Sequence, residues 1–246
     1  LDGREPSASD GNIYSQPISI SETALVRAIA ILPATPSIAI STTNTYIFID
    51  SVLSQSQTGA VVKGFPSKWV EMDGTKWTEG MGGTHPGSSY GYDSILYSQY
   101  TSAELEAALL ALPSVSLVMP ANDWFGYNLP AGPFGIYVNS EQFTDDWDRK
   151  VSAEWIDPAG GPEFQINCGI GIQGGSSTSE NLRSQLSMML KFKPEFGPTK
   201  LTFPVFPNAP YQEYDRLVLD GFNQDRTYPM GGASVAPFRQ MVRDPF

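Results

Sequence analysis

One cysteine and one histidine in 246 residues each remove a body of chemistry. Cys168 has no disulfide partner within the chain, and its alternating surroundings read as those of a buried small hydrophobe rather than a reactive thiol. His85 stands in the Gly/Ser-rich stretch 81–89, and a lone histidine cannot assemble a structural zinc site or an HExxH helix within the chain. Scarce cysteine leaves the compartment open, because intracellular proteins and large exported bacterial proteins both show it. Positive charge is scarce as well: 15 Lys and Arg stand against 26 Asp and Glu, for a net charge of −11, and no basic run occurs. Such a chain cannot follow a nucleic-acid backbone by counterion release, so nucleic acid is not an expected partner. Long apolar runs are missing too. The stretch Ala24–Leu32 is broken by Arg27 and falls short of the ~20 residues of a membrane helix, so no membrane span is expected. The first residues hold no initiator methionine, basic n-region or apolar h-region, and the chain is expected to be a piece of a longer or processed protein.

What is present is mainly β pattern with turn residues between the runs. Residues 17–21, 24–31 and 44–49 alternate or are β-branched and read as strands of an antiparallel sandwich, with Ile18, Ile20, Leu25 and Ile29 as core candidates. Residues 51–100 are rich in Gly, Ser, Thr and Gln and carry Trp69, Trp77, Tyr90, Tyr92, Tyr97 and Tyr100 without sustained period. They read as a long irregular connection anchored by its aromatics, a sugar-stacking platform being the alternative. Thr101 and Glu104 form a capping box ahead of Leu105, Ala108, Leu109 and Leu112, which predicts one clear helix near 103–112, stopped by Pro113. Beyond it, strands are expected at 115–119, 135–139, 150–157, 163–173, 186–193, 200–203 and 216–219.

Three motifs could carry chemistry. Gly169–Gly174 matches G-x-G-x-x-G, but it continues a strand and leads toward more strand pattern at Leu186, so a dinucleotide-binding context fails. A glycine loop between two strands, as in kinases, and glycines that merely allow close packing both remain. Residues 185–193 alternate, placing Leu186, Met188, Leu190 and Phe192 on the core side and Gln185, Ser187, Met189, Lys191 and Lys193 on the other. With Arg183, those lysines are the densest cations, suited either to a phosphate or to a solvated strand face. The acidic cluster Asp145, Asp146 and Asp148 lacks the ligand spacing of a calcium loop and reads as a hydrated turn.

Two resemblances rest on these segments. Residues 1–7, 14–20 and 24–30 resemble the chitobiase/β-hexosaminidase C-terminal-type domain, a small immunoglobulin-like accessory sandwich of exported bacterial proteins. From about Gly64 to the end, the segments 110–118, 135–139, 147–154, 164–166, 174–177, 196–201, 204–206 and 243–246 resemble, in order, the first half of the CotH kinase family of atypical protein kinases. These resemblances imply a β-rich α+β fold in three parts. A truncated immunoglobulin-like sandwich would cover 1–50, an irregular linker 51–100 and an incomplete kinase-like N-lobe 101–246. They further imply ATP with Mg or Mn as cofactor, with Gly174, Gly175, Ser176, Arg183, Gln185 and Lys191 as the cofactor-binding candidates. Catalytic and metal-binding acids of the family would lie beyond Phe246. The departures cut the other way: Gly171 and Gln173 stand where relatives carry arginines, and Gln185 and Met189 where they carry a lysine and an arginine. The expected protein is therefore a secreted or cell-surface bacterial CotH-like fragment, related to Ser/Thr phosphorylation but inactive as this chain. The alternative is a non-catalytic surface-assembly or carbohydrate-adhesion protein, whose partner is a protein or a glycan.

Overall fold

The computed structural model describes residues 3–31, 39–56, 58–59, 94–126, 135–137, 147–174 and 187–220. The protein is mainly β, with antiparallel sheets and few helices. Strands β1 (Ala24–Ile31) and β2 (Ala39–Tyr46) pair with each other, Arg27 lying opposite Thr43. Short helices α1 (Ile49–Leu53) and α2 (Ser94–Gln99) precede α3 (Ser102–Leu110). Next come β3 (Ser114–Val118), α4 (Ala121–Phe125), β4 (Arg149–Ile156), β5 (Phe164–Gln173), β6 (Ser187–Lys191), β7 (Leu201–Thr202), β8 (Glu213–Tyr214) and β9 (Arg216–Leu219). The main sheet is five-stranded and antiparallel in the order β3-β4-β5-β6-β9, while β7 pairs with β8.

Residue alternation divides the main sheet into two unlike faces. Val151 pairs with Cys168, Ala153 with Ile166 and Ile170 with Leu190, so one face is a continuous apolar surface across three strands. It carries the core: Val151, Ala153, Cys168, Ile170, Leu190 and Phe192 are buried there, packed with Met119, Ile136, Tyr137, Leu201 and Phe203. Trp155, Phe164 and Phe203 close one end, Phe164 and Phe203 meeting edge to face at 4.8 Å. The opposite face is polar, made by Ser116, Ser152, Glu154, Gln165, Asn167, Ser187 and Lys191 with Gly169 and Gly171 between them.

Most β expectations hold to within a residue or two, and others are corrected. The capping box forms as read: Thr101 Oγ1 accepts from the Glu104 amide, and the Glu104 carboxylate accepts from the Thr101 amide at 2.8 Å, which holds that carboxyl below its ordinary range. Of the helical stripe, however, only Leu105 is buried, and Leu112 lies past the helix end, exposed. Residues 17–21 form no strand and Ile18 is exposed, because alternation alone does not make a strand without a partner edge. Residues 47–48 lie outside β2, and α1 starts at Ile49. Residues 135–137 are buried but turn rather than extend, and 138–139 lie outside the described residues.

Each of the three expected segments is described only in part. Among the described residues, segment 1–50 contributes one two-stranded sheet and no second sheet of a sandwich. None of the four core candidates there is buried, and Thr43 is the one buried residue described before Leu105. Segment 51–100 holds the end of α1 and the whole of α2, joined where the Tyr97 hydroxyl donates to the Leu53 carbonyl. Trp69, Trp77, Tyr90, Tyr92 and His85 lie outside the described residues.

Candidate functional site: the β5–β6 glycine hairpin

The G-x-G-x-x-G run forms the second half of β5 and the residue after it, and the next described element is the antiparallel β6. Residues 175–186 between the two strands lie outside the described residues. Gly174 closes the strand with φ at 131°, a backbone region that L side chains rarely enter. The other two glycines answer to packing. A Cβ on Gly169 would stand 2.5 Å from the Phe196 ring, and one on Gly171 would stand 2.6 Å from Asp148 Oδ1. Both glycines are thus vacant on the polar face because another side chain fills that space.

Asp148 is the residue that the sequence reading placed elsewhere. Instead of a hydrated turn, the structure puts it just ahead of β4 with its side chain 2% exposed, its carboxylate lying over Gly171. Lys191 Nζ donates to Asp148 Oδ1 at 2.8 Å, and Lys193 Nζ stands 3.7 Å from Oδ2. Lys191 reaches this carboxylate because β6 pairs it with Gly169, one alternation from Gly171 on the same face. Its side chain is 13% exposed, so it is not the solvated strand lysine of one alternative, and its ammonium donates to a buried carboxylate.

Behind this pair, Arg149 points to the apolar face and donates from Nη1 to the Asp148 carbonyl at 2.8 Å. Burial pulls the Arg149 guanidinium below its usual value, opposed by the charges of Asp123 and Asp148. Burial likewise pushes the Asp123 carboxyl up, with Arg149 opposing. The Cys168 thiol, fully buried beside Ile170, is pushed up to about 12 by desolvation, which keeps it protonated and inert, as the alternation suggested.

Of the six cofactor-binding candidates, Gly174 and Lys191 are described, while Gly175, Ser176, Arg183 and Gln185 lie outside the described residues. An open cleft of about 660 Å³ adjoins the hairpin, lined by Lys191, Phe192, Lys193, Glu213, Asp215 and Arg216, so acids and bases share its wall. Among the described residues no three His, Cys, Asp or Glu side chains gather around a point that could hold a metal ion, and no helix is long and apolar enough to cross a membrane. Comparison of the chain with family models, with curated proteins and with solved structures returns no match.

Proposed function

We propose that the chain is part of an exported, CotH-like bacterial protein that works by binding and assembly, with its kinase-like sheet kept as a scaffold. One observation carries this reading. A nucleoside triphosphate brings about four negative charges, and transfer enzymes meet them with a positioned lysine and bridging metal ions. At the β5–β6 hairpin the position beneath the glycine strand is taken by the Asp148 carboxylate, which already neutralises Lys191 and faces Lys193. Phosphate brought there would meet a buried negative charge in place of free cations. The side chains of Ile13, Tyr14 and Ile18, exposed within six residues, add apolar surface suited to a surface-assembly partner.

A second reading, ATP-dependent phosphorylation of a protein, is favoured by Gly174, whose conformation between two antiparallel strands suits a loop over phosphates. A melting experiment separates the two. At about 5 mM Mg-ATP or Mn-ATP, a site with a Kd near 50 µM would stabilise the native state by about 2.7 kcal/mol and raise Tm by several degrees. The assembly reading expects no shift with either metal, and a reproducible rise of several degrees would overturn it.

A further inference from the structure

The polar face of the main sheet is covered by the N-terminal segment and the β1–β2 pair, and the chemistry of that cover is unusual. Thr45 donates its amide to Glu154 Oε1 at 3.1 Å and its hydroxyl to Glu154 Oε2, and shares a 2.7 Å hydrogen bond with Ser116. Gln165 donates to Ser152 at 2.8 Å, and Asn167 reaches Ser41 at 3.5 Å. At the centre Glu5 Oε1 accepts from Arg27 Nη2 at 3.2 Å and from Ser41 Oγ at 3.0 Å, and Glu5 Oε2 accepts from Lys150 Nζ at 3.3 Å. Arg27, with its side chain 8% exposed, also donates from Nε to Thr43 at 3.1 Å and from Nη1 to the Gly3 carbonyl. Glu5 therefore ties four pieces of chain together: its own segment, β1, β2 and β4.

Among the described residues, the one buried apolar side chain on this face of the strands is Val118, opposite Ser152 at the end of β3. Among the described residues, the buried cluster on the other face of the sheet draws its members from Met119 onward, and the partly buried hydrophobics packed against it begin at Leu117. Polar contacts lose little on separation, because each group regains water, whereas a core contact loses its burial outright. The cover can leave while the sheet and its core stay intact.

We propose that the N-terminal segment and the β1–β2 pair form a polar clasp that opens in acid, uncovering the Ser/Gln/Asn/Glu face of a sheet that remains folded. The opening is driven from Glu5. Facing it are Arg27 of β1 and Lys150 of β4, with Arg4 and Asp10 paired to each other at 3.3 Å in its own segment and Glu154 further along β4. Burial opposes the charged form of Glu5, but hydrogen bonds from Lys150 and Ser41 and the charges of Lys150 and Arg27 outweigh it, holding its pKa below the ordinary 4.5. A carboxyl depressed by docking stabilises the closed state above its free value and loses that contribution as pH falls through the docked one. Once Glu5 is protonated, Arg27 is a buried guanidinium without its carboxylate, and opening hydrates it.

Hydrogen exchange of individual amides between pH 7 and pH 3, corrected for intrinsic rates, tests the clasp. Protection of the β1–β2 amides should fall from about pH 4.5 downward, by up to about tenfold per pH unit for each carboxylate that must ionise, while Val151, Ala153 and Ile170 stay protected. Glu5→Gln should open the clasp at pH 7 with the same sheet amides unchanged. A disulfide between Thr45→Cys and Ser116→Cys, which leaves Glu5 in place, should keep the β1–β2 amides protected in acid. Protection that persists to pH 3, that is lost together with Val151, Ala153 and Ile170, or that the disulfide fails to restore would overturn the proposal.

Discussion

Ile170→Ala is expected to lower the unfolding free energy by about 2–5 kcal/mol, read as a fall in the urea midpoint at unchanged slope. Ile170 is fully buried on β5, the middle strand of the five, between Arg149 on β4 and Leu190 on β6. Hydrogen bonding to strands on both sides fixes its backbone, so the space vacated by the side chain cannot close by strand movement. Its neighbours Val151, Cys168 and Leu190 are themselves buried and cannot reach across without leaving their own contacts. Ile18→Ala makes the contrasting control. The residue was an equal core candidate by pattern but is 60% exposed, and its replacement should change stability by no more than about 0.5 kcal/mol.

Asp148→Ala should cost about 3–5 kcal/mol, because it removes the buried carboxylate to which Lys191 donates at 2.8 Å. The loss arises less from the attraction removed than from the charge left behind. The double variant Asp148→Leu/Lys191→Met removes both charges and should lie within about 1–2 kcal/mol of the parent chain, on either side. Denaturant unfolding of the two variants beside the parent checks the pair. If Lys191 instead stood free in solvent, the single variant would be nearly silent and the double variant no better. The comparison therefore also weighs the functional reading, since a lysine already held inside the protein is not waiting for a phosphate.

Sequence pattern reached the strands and the capped helix because those depend on neighbours close in the chain. Alternation over 150–157 and 163–173 puts Val151 with Ala153, and Cys168 with Ile170, on one side of each strand, and the capping box needs only Thr101 and Glu104. What alternation cannot say is what covers the other face. Ser187 and Lys191 read as facing away from the core, yet Ser187 is buried and Lys191 nearly so, since polar groups can be buried once partners are supplied. For Lys191 that partner is Asp148, 43 residues away. The same distance hid Asp148: in sequence it ends an acidic cluster, and its burial depends on a gap left by Gly171 across the sheet. One signal was available. Two glycines spaced by two in a strand leave room on a single face, and something must fill it. The N-terminal strand reading at 17–21 failed for the opposite reason, having pattern without a partner edge.

The claim at the centre of this account is that Lys191 is committed to Asp148, and side-chain nitrogen NMR of Lys191 during a Mg-ATP titration tests it most directly. The account predicts an ammonium signal slowed in exchange by the 2.8 Å contact and unmoved through millimolar nucleotide. A Lys191 signal that exchanges like a free lysine, or that shifts saturably as Mg-ATP is added, would contradict it.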